Sequence, residues 1–176
     1  MGAKKSKTTY KPSSPRYEEE NDFPPIPKGY LYMTAGAEYL EEKDYENAIL
    51  SFTKATKRNP ENPKAYYQLG KAYFYKKRYT EAIKSLTKAI QFNPNQLEAY
   101  TSLGVVYFEM TRYQEALKAF DNAIDLDPKN SSLYVYRGKA YYMLHDDEKA
   151  LQAFSQAIEI DPKSFQAYLN RGRALT

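Results

Sequence analysis

The chain contains no cysteine and one histidine, His145. Without cysteine there is neither a disulfide framework nor a thiolate nucleophile, which fits a reducing compartment and leads us to expect a cytoplasmic location. His145 lies in "LHDDEK", a polar turn, where a solvated residue is the plain reading. No phosphate-cradling glycine loop and no metal-ligand spacing occurs, so catalysis, a cofactor and a bound metal are not expected. Long apolar runs are also missing: no window approaches the roughly 18 consecutive apolar residues that span a bilayer, and no apolar stretch follows the N-terminal lysines as it would in a secretory leader. Charge of one sign is scarce, with 26 Lys and Arg against 22 Asp and Glu for a net charge of +4. That imbalance is too mild to point to nucleic acid, and the one basic aromatic stretch, "YKKRY" at Tyr75 to Tyr79, is a single turn with no partner stripe, so no nucleic acid is expected.

What is present is a register. Of the 176 residues, 42% are hydrophobic and 27% charged, as in a soluble chain able to build a continuous core. Pro60, Pro94, Pro128 and Pro162 recur at one interval, each after Asn59, Asn93, Asp127 or Asp161. Frames beginning at Gly29, Pro63, Leu97, Ser131 and Phe165 bring Tyr32, Tyr66, Tyr100, Tyr134 and Tyr168 into one column. Gly36, Gly70, Gly104, Gly138 and Gly172 fall into the next, followed by Tyr39, Tyr73, Tyr107, Tyr141 and Leu175. Small residues follow at Ala48, Ala82, Ala116 and Ala150, large apolar ones at Phe52, Leu86, Phe120 and Phe154, then Ala55, Ala89, Ala123 and Ala157.

Inside each frame the apolar spacing is helical and comes in two bursts, as with Tyr66, Leu69, Gly70 and Tyr73, then Ala82, Ile83, Leu86, Ala89 and Ile90. Short polar turns such as "EMTRYQ" separate the bursts, so each frame reads as a helical hairpin. Proline lacks an amide hydrogen and pushes the preceding residue out of the helical region, which stops each second helix at its Asn or Asp. The glycine and alanine columns mark places where two helix backbones approach closely.

These columns resemble the tetratricopeptide repeat (TPR) family, from Gly29 to Thr176. The resemblance implies an all-α fold, a right-handed superhelix of stacked 34-residue helix-turn-helix repeats at 29–62, 63–96, 97–130 and 131–164 with a partial fifth at 165–176. It implies a non-catalytic scaffold or adaptor whose first helices line a concave groove for a partner peptide or helix. Arg137 and Arg171 depart from the pattern, falling where earlier repeats carry Leu69 and Leu103; their stems are expected to pack with the charge at the surface.

First-helix residues outside the packing columns are the groove candidates. The strongest are Tyr30, Met33, Tyr67, Lys71, Phe74, Thr101, Val105, Phe108, Tyr136, Lys139 and Tyr142, and Ala37, Leu40, Lys64, Tyr75, Glu98, Ser132 and Val135 share the register. Aromatic anchors suit an apolar segment, and Lys71 and Lys139 would favour an acidic one. Some relatives in the family clamp chaperone C-terminal carboxylates with Lys, Asn and Arg. Here those slots hold Met33, Ala37, Gln68, Glu98 and Ser102, and neither shifted frame supplies the set, so no chaperone carboxylate clamp is expected.

Residues 1–28 carry five of the ten prolines and read as a flexible tail, basic first and acidic later. "MGAKKS" fits the myristoylation pattern with Gly2 as acceptor, and Lys4, Lys5, Lys7 and Lys11 would assist a peripheral membrane contact. "FPPIP", Phe23 to Pro27, is expected to fold back over the first hairpin. Gly172, a glycine in a helix with no second helix after it, points to a longer repeat array. The alternative to a scaffold is a structural subunit of a larger assembly whose groove is filled by its own tail.

Overall fold

The computed structural model describes residues 27–175. Among the described residues there are nine helices and no strand: α1 Lys28–Glu41, α2 Tyr45–Arg58, α3 Pro63–Tyr75, α4 Tyr79–Phe92, α5 Leu97–Glu109, α6 Tyr113–Leu126, α7 Ser131–Met143, α8 Asp147–Ile160 and α9 Phe165–Arg173. The Gly2 acceptor, the N-terminal lysines and Phe23 to Ile26 lie outside the described residues. Each odd helix packs on the next helix and on the next odd one, whereas the even helices do not meet each other. The odd helices therefore crowd along the inner side of a right-handed α-solenoid while the even helices fan out on its outer side.

Helix ends follow from local chemistry repeated four times. Asn59, Asn93, Asp127 and Asp161 cap α2, α4, α6 and α8 with extended backbone, as the following proline requires. Their side chains also accept from the amides of Glu61, Asn95, Lys129 and Lys163 at 3.0–3.3 Å, which explains the choice of Asn or Asp there.

The turns inside the hairpins are more specific than "short and polar". Lys43, Lys77, Thr111 and His145 adopt positive φ of 61°, 58°, 58° and 59°. One residue later, the amides of Asp44, Arg78, Arg112 and Asp146 donate back to Tyr39, Tyr73, Tyr107 and Tyr141 at 2.8–3.0 Å. This is the Schellman closure, which favours glycine at the left-handed position; here none of the four is glycine. His145 is thus one of four equivalent, exposed turn residues.

Phe52, Leu86, Phe120 and Phe154 are fully buried between flanking alanines, and burial of each side chain contributes about 1.5–3 kcal/mol. The glycine column meets these side chains, not a bare backbone. A methyl placed on Gly36 would lie 2.6 Å from the Phe52 ring, and one on Gly70 would lie 2.7 Å from Leu86. Gly104 and Gly138 are filled in the same way by Phe120 and Phe154.

Arg137 is half-buried, and its guanidinium is held by two side chains. Its Nη2 donates to Gln156 on α8 at 2.6 Å and its Nη1 to Asp121 on α6 at 3.4 Å, while Nε is buried without a partner. The guanidinium thus bridges side chains of α6 and α8. Arg171, in the same register, rests over the Tyr168 ring at 5.5 Å.

Candidate interaction groove

Side chains three or four apart share a helix face, so the candidates on α1, α3, α5 and α7 project from the inner row of helices. The structure distributes them over four concavities. Lys71, Phe74, Thr101, Val105 and Tyr136 meet in one cleft of about 190 Å³ shared by α3, α5 and α7. Phe108, Lys139 and Tyr142 line a second of about 260 Å³, with Asn170 and Arg173 of α9. Tyr67 borders a third, of about 370 Å³, with Lys64 and Glu98. Tyr30 and Met33 lie at the largest, about 680 Å³, beside Pro27 where residues 1–26 join.

Several candidate rings are already engaged in packing. Tyr136 stacks on Phe120 with centroids 5.3 Å apart and planes 13° apart. Phe108 meets Tyr113 edge-on at 5.2 Å, and Phe74 contacts Tyr75 and Tyr79 at 5.6 and 6.0 Å. Met33 and Leu40 pack against the core around Phe52 and Ile49. Val135 belongs to the core: it is 6% exposed, packed with Phe154 and Ala167, and does not face the groove. Ala37 is half-buried, whereas Lys64, Glu98, Ser132 and Tyr75 are exposed.

The polar groups hold the cations at the aromatic rims. Lys71 Nζ lies 5.6 Å from the Tyr67 ring centre and Lys139 Nζ 6.0 Å from that of Tyr136, within reach of a cation–π attraction. Burial pushes the Tyr67 phenol up from its ordinary value, against a hydrogen bond with Ser102 that lowers it, and Glu98 adds to the rise. Thr101 turns its hydroxyl back to the Leu97 carbonyl at 3.0 Å, which leaves chiefly its methyl for the cleft. The result is an apolar floor with ammonium groups at its edge, suited to a large apolar side chain next to an acid.

Ser102, Asn170 and Arg173 also line these clefts, although the sequence did not mark them as groove candidates. A signal existed for Arg173, which continues the register of Lys71, Val105 and Lys139. Among the described residues, no group of His, Cys, Asp and Glu is placed to hold a metal, and no helix is long and apolar enough to cross a membrane.

Comparison with known proteins agrees with this architecture. A family model for anaphase-promoting complex, cyclosome, subunit 3 matches residues 41–123, and one for the tetratricopeptide repeat matches residues 101–165. A solved structure of MamA protein is 30% identical over 84% of this chain and 80% of that one, with a TM-score of 0.78. The chain belongs to the tetratricopeptide repeat family. Another TPR structure, YrrB, described as having an unusual peptide-binding site, is 27% identical over 82% of this chain and 74% of its own, with a TM-score of 0.75. The first TPR of Spaghetti (RPAP3), solved with an HSP90 peptide, shares the TPR fold at 24% identity, a TM-score of 0.62, and coverage of 65% of this chain and 90% of that one. No curated protein matches the sequence.

Proposed function

We propose that the chain is a non-catalytic interaction scaffold that holds a segment of a partner protein in its concave groove. The observation that carries this reading is the convergence of Lys71, Phe74, Thr101, Val105 and Tyr136, from three successive first helices, on one cleft. At about 190 Å³ the cleft is smaller than the roughly 300–1,000 Å³ of small-molecule sites, so it fits a side chain of a polypeptide better than a metabolite. The second cleft, with Phe108, Tyr142 and Lys139, supplies another anchor point further along the same inner row. The favoured ligand is an apolar segment with an acid near Lys71 or Lys139. A chaperone C-terminus is disfavoured, because the slots that would grip its carboxylates carry Met33, Ala37, Gln68, Glu98 and Ser102.

Selection of peptides from a random display library tests this. Binders should be enriched in a large apolar residue beside Asp or Glu, and should lose affinity for Val105→Arg and Phe74→Ala. Binders indifferent to both variants would overturn the groove assignment. The match to the subunit 3 family model favours one second reading, a structural subunit of a larger assembly. Deleting residues 1–28 separates the two: a scaffold keeps or improves partner binding, whereas an assembly subunit fails to incorporate. Within the scaffold reading the protein works in the cytoplasm, and an acyl chain on Gly2 would add a peripheral membrane contact, testable by the intact mass of the natural protein.

A further inference from the structure

The first hairpin departs from the repeat register at three neighbouring places. Arg58 stands in the column that carries Phe92, Leu126 and Ile160 in the later repeats, and Lys28 in the one that carries Asn62, Gln96, Asn130 and Ser164. Tyr30, 61% exposed, stands where the others have Lys64, Glu98, Ser132 and Gln166. One cation has thus taken an apolar place, another a capping place, and an aromatic ring a polar place. All three side chains line the concavity of about 680 Å³ at Pro27, together with Met33 and Lys64.

The charge of this cleft is one-sided. Lys28, Arg58 and Lys64 are exposed, no Asp or Glu stands among the lining residues, and among the described residues none of the three cations has an ion-pair partner. The residues that join at Pro27 have the opposite character. Within 17–26, "YEEENDFPPI", Glu18, Glu19, Glu20 and Asp22 occur with no cation, and Phe23 and Ile26 follow as large apolar side chains. Phe23 lies within about 14 Å of Pro27 at full extension and Glu20 within about 25 Å. Packed helices lie about 8–10 Å apart, so this length of chain spans the cleft from α1 to α3.

We propose that residues 17–26 of this chain seat on this cleft, with Phe23 against Tyr30 and Met33 and the acidic run over Arg58 and Lys64. An exposed ion pair contributes little by itself, so the ring anchors the segment and the charges fix its direction. Tethering gives the segment an effective concentration in the millimolar range, so an intrinsic dissociation constant of about 0.1 mM keeps it seated about nine-tenths of the time. An acidic segment of another protein lacks that advantage. The inference does not rest on the scaffold reading: the seated segment closes the first hairpin and leaves the cleft at Lys71 open to a partner.

The chain has no tryptophan, so Phe23→Trp in the full chain places a single indole at the seat. Acrylamide should quench it several-fold less than N-acetyltryptophanamide. Arg58→Glu with Lys64→Glu, both at exposed positions, should raise the quenching toward that of the free indole while circular dichroism stays unchanged. Adding Glu18→Lys, Glu19→Lys and Glu20→Lys to that pair should restore the protection, and Val105→Arg alone should change nothing. A benzophenone amino acid at position 23 should crosslink within one chain to Tyr30, Met33 or their neighbours. An indole quenched like the free one would overturn the proposal and leave the cleft to an acidic segment of a partner. Quenching indifferent to the charge reversal would overturn it too, as would protection lost with Val105→Arg, which would move the segment into the groove. Crosslinks between two chains would overturn it in favour of a second copy.

Discussion

The glycine column allows a direct test of how the hairpins are held together, by comparing Gly138→Ala with Gly172→Ala. Both substitutions replace a helical glycine and should each gain about 1 kcal/mol of helix propensity. At Gly138, however, the new methyl would lie 2.5 Å from Cε1 of Phe154, whereas carbon atoms pack best at about 3.5–4.0 Å. Phe154 is 1% exposed and wedged between Ala150 and Ala157, so it cannot swing aside, and overpacking of this kind costs about 1–3 kcal/mol. At Gly172 there is no such opposing contact. The two variants should therefore differ by about 1–3 kcal/mol, with Gly172→Ala at or above the parent; at about 2–4 °C per kcal/mol this is a Tm gap of roughly 2–12 °C. Thermal melts and urea titrations followed by circular dichroism read it. Adding Phe154→Ala should close the gap in a double-mutant cycle, because the methyl then enters the space the ring has left. Equal stability of the two glycine variants, or additive effects with Phe154→Ala, would refute the claim that the ring fills the glycine slot.

Arg137→Leu should leave Tm unchanged or raise it, since leucine occupies this register in the second and third repeats and removes a buried, unpartnered Nε. Arg137→Ala should lose about 1 kcal/mol through lost packing; equal losses for both would mean that the bonds to Gln156 and Asp121 dominate instead. Thr111→Gly should stabilise by about 1 kcal/mol, because a β-branched residue at φ 58° is strained, and an unchanged Tm in the same melts would count against that strain. The Arg112 guanidinium, bonded to Glu115 at 2.7 Å, holds that carboxyl below its ordinary value of 4.5. A depressed carboxylate contributes stability above that ordinary value and loses it as the pH falls through the shifted one. In an NMR titration, Arg112→Gln should raise the Glu115 carboxyl toward its ordinary value and make acid destabilisation shallower; an unmoved titration would show that the pair is not the cause.

Much of this molecule is decided within one frame of sequence. The Asn/Asp-Pro stops, the two apolar bursts and the glycine opposite a large side chain are local in the chain, since a helix end needs only its neighbours and a hairpin only its own two faces. They determined the helix count, the hairpins and the family. The left-handed turn position escaped this reading because lysine, threonine and histidine carry no glycine signal; its conformation is set by the Schellman bonds from Asp44, Arg78, Arg112 and Asp146. Arg137 escaped it because its partners lie on α6 and α8, in two different hairpins.

Which groove candidates are presented and which are buried was decided by tertiary structure alone. Met33, Tyr67, Thr101, Val135 and Leu169 occupy one register, yet Met33 packs on the core, Val135 disappears into it and Leu169 is left exposed. Periodicity fixes where a Cα stands on a helix and the direction its side chain leaves. Solvent access depends on how large the neighbours are on the helices before and after, and those are set one hairpin away in the stack.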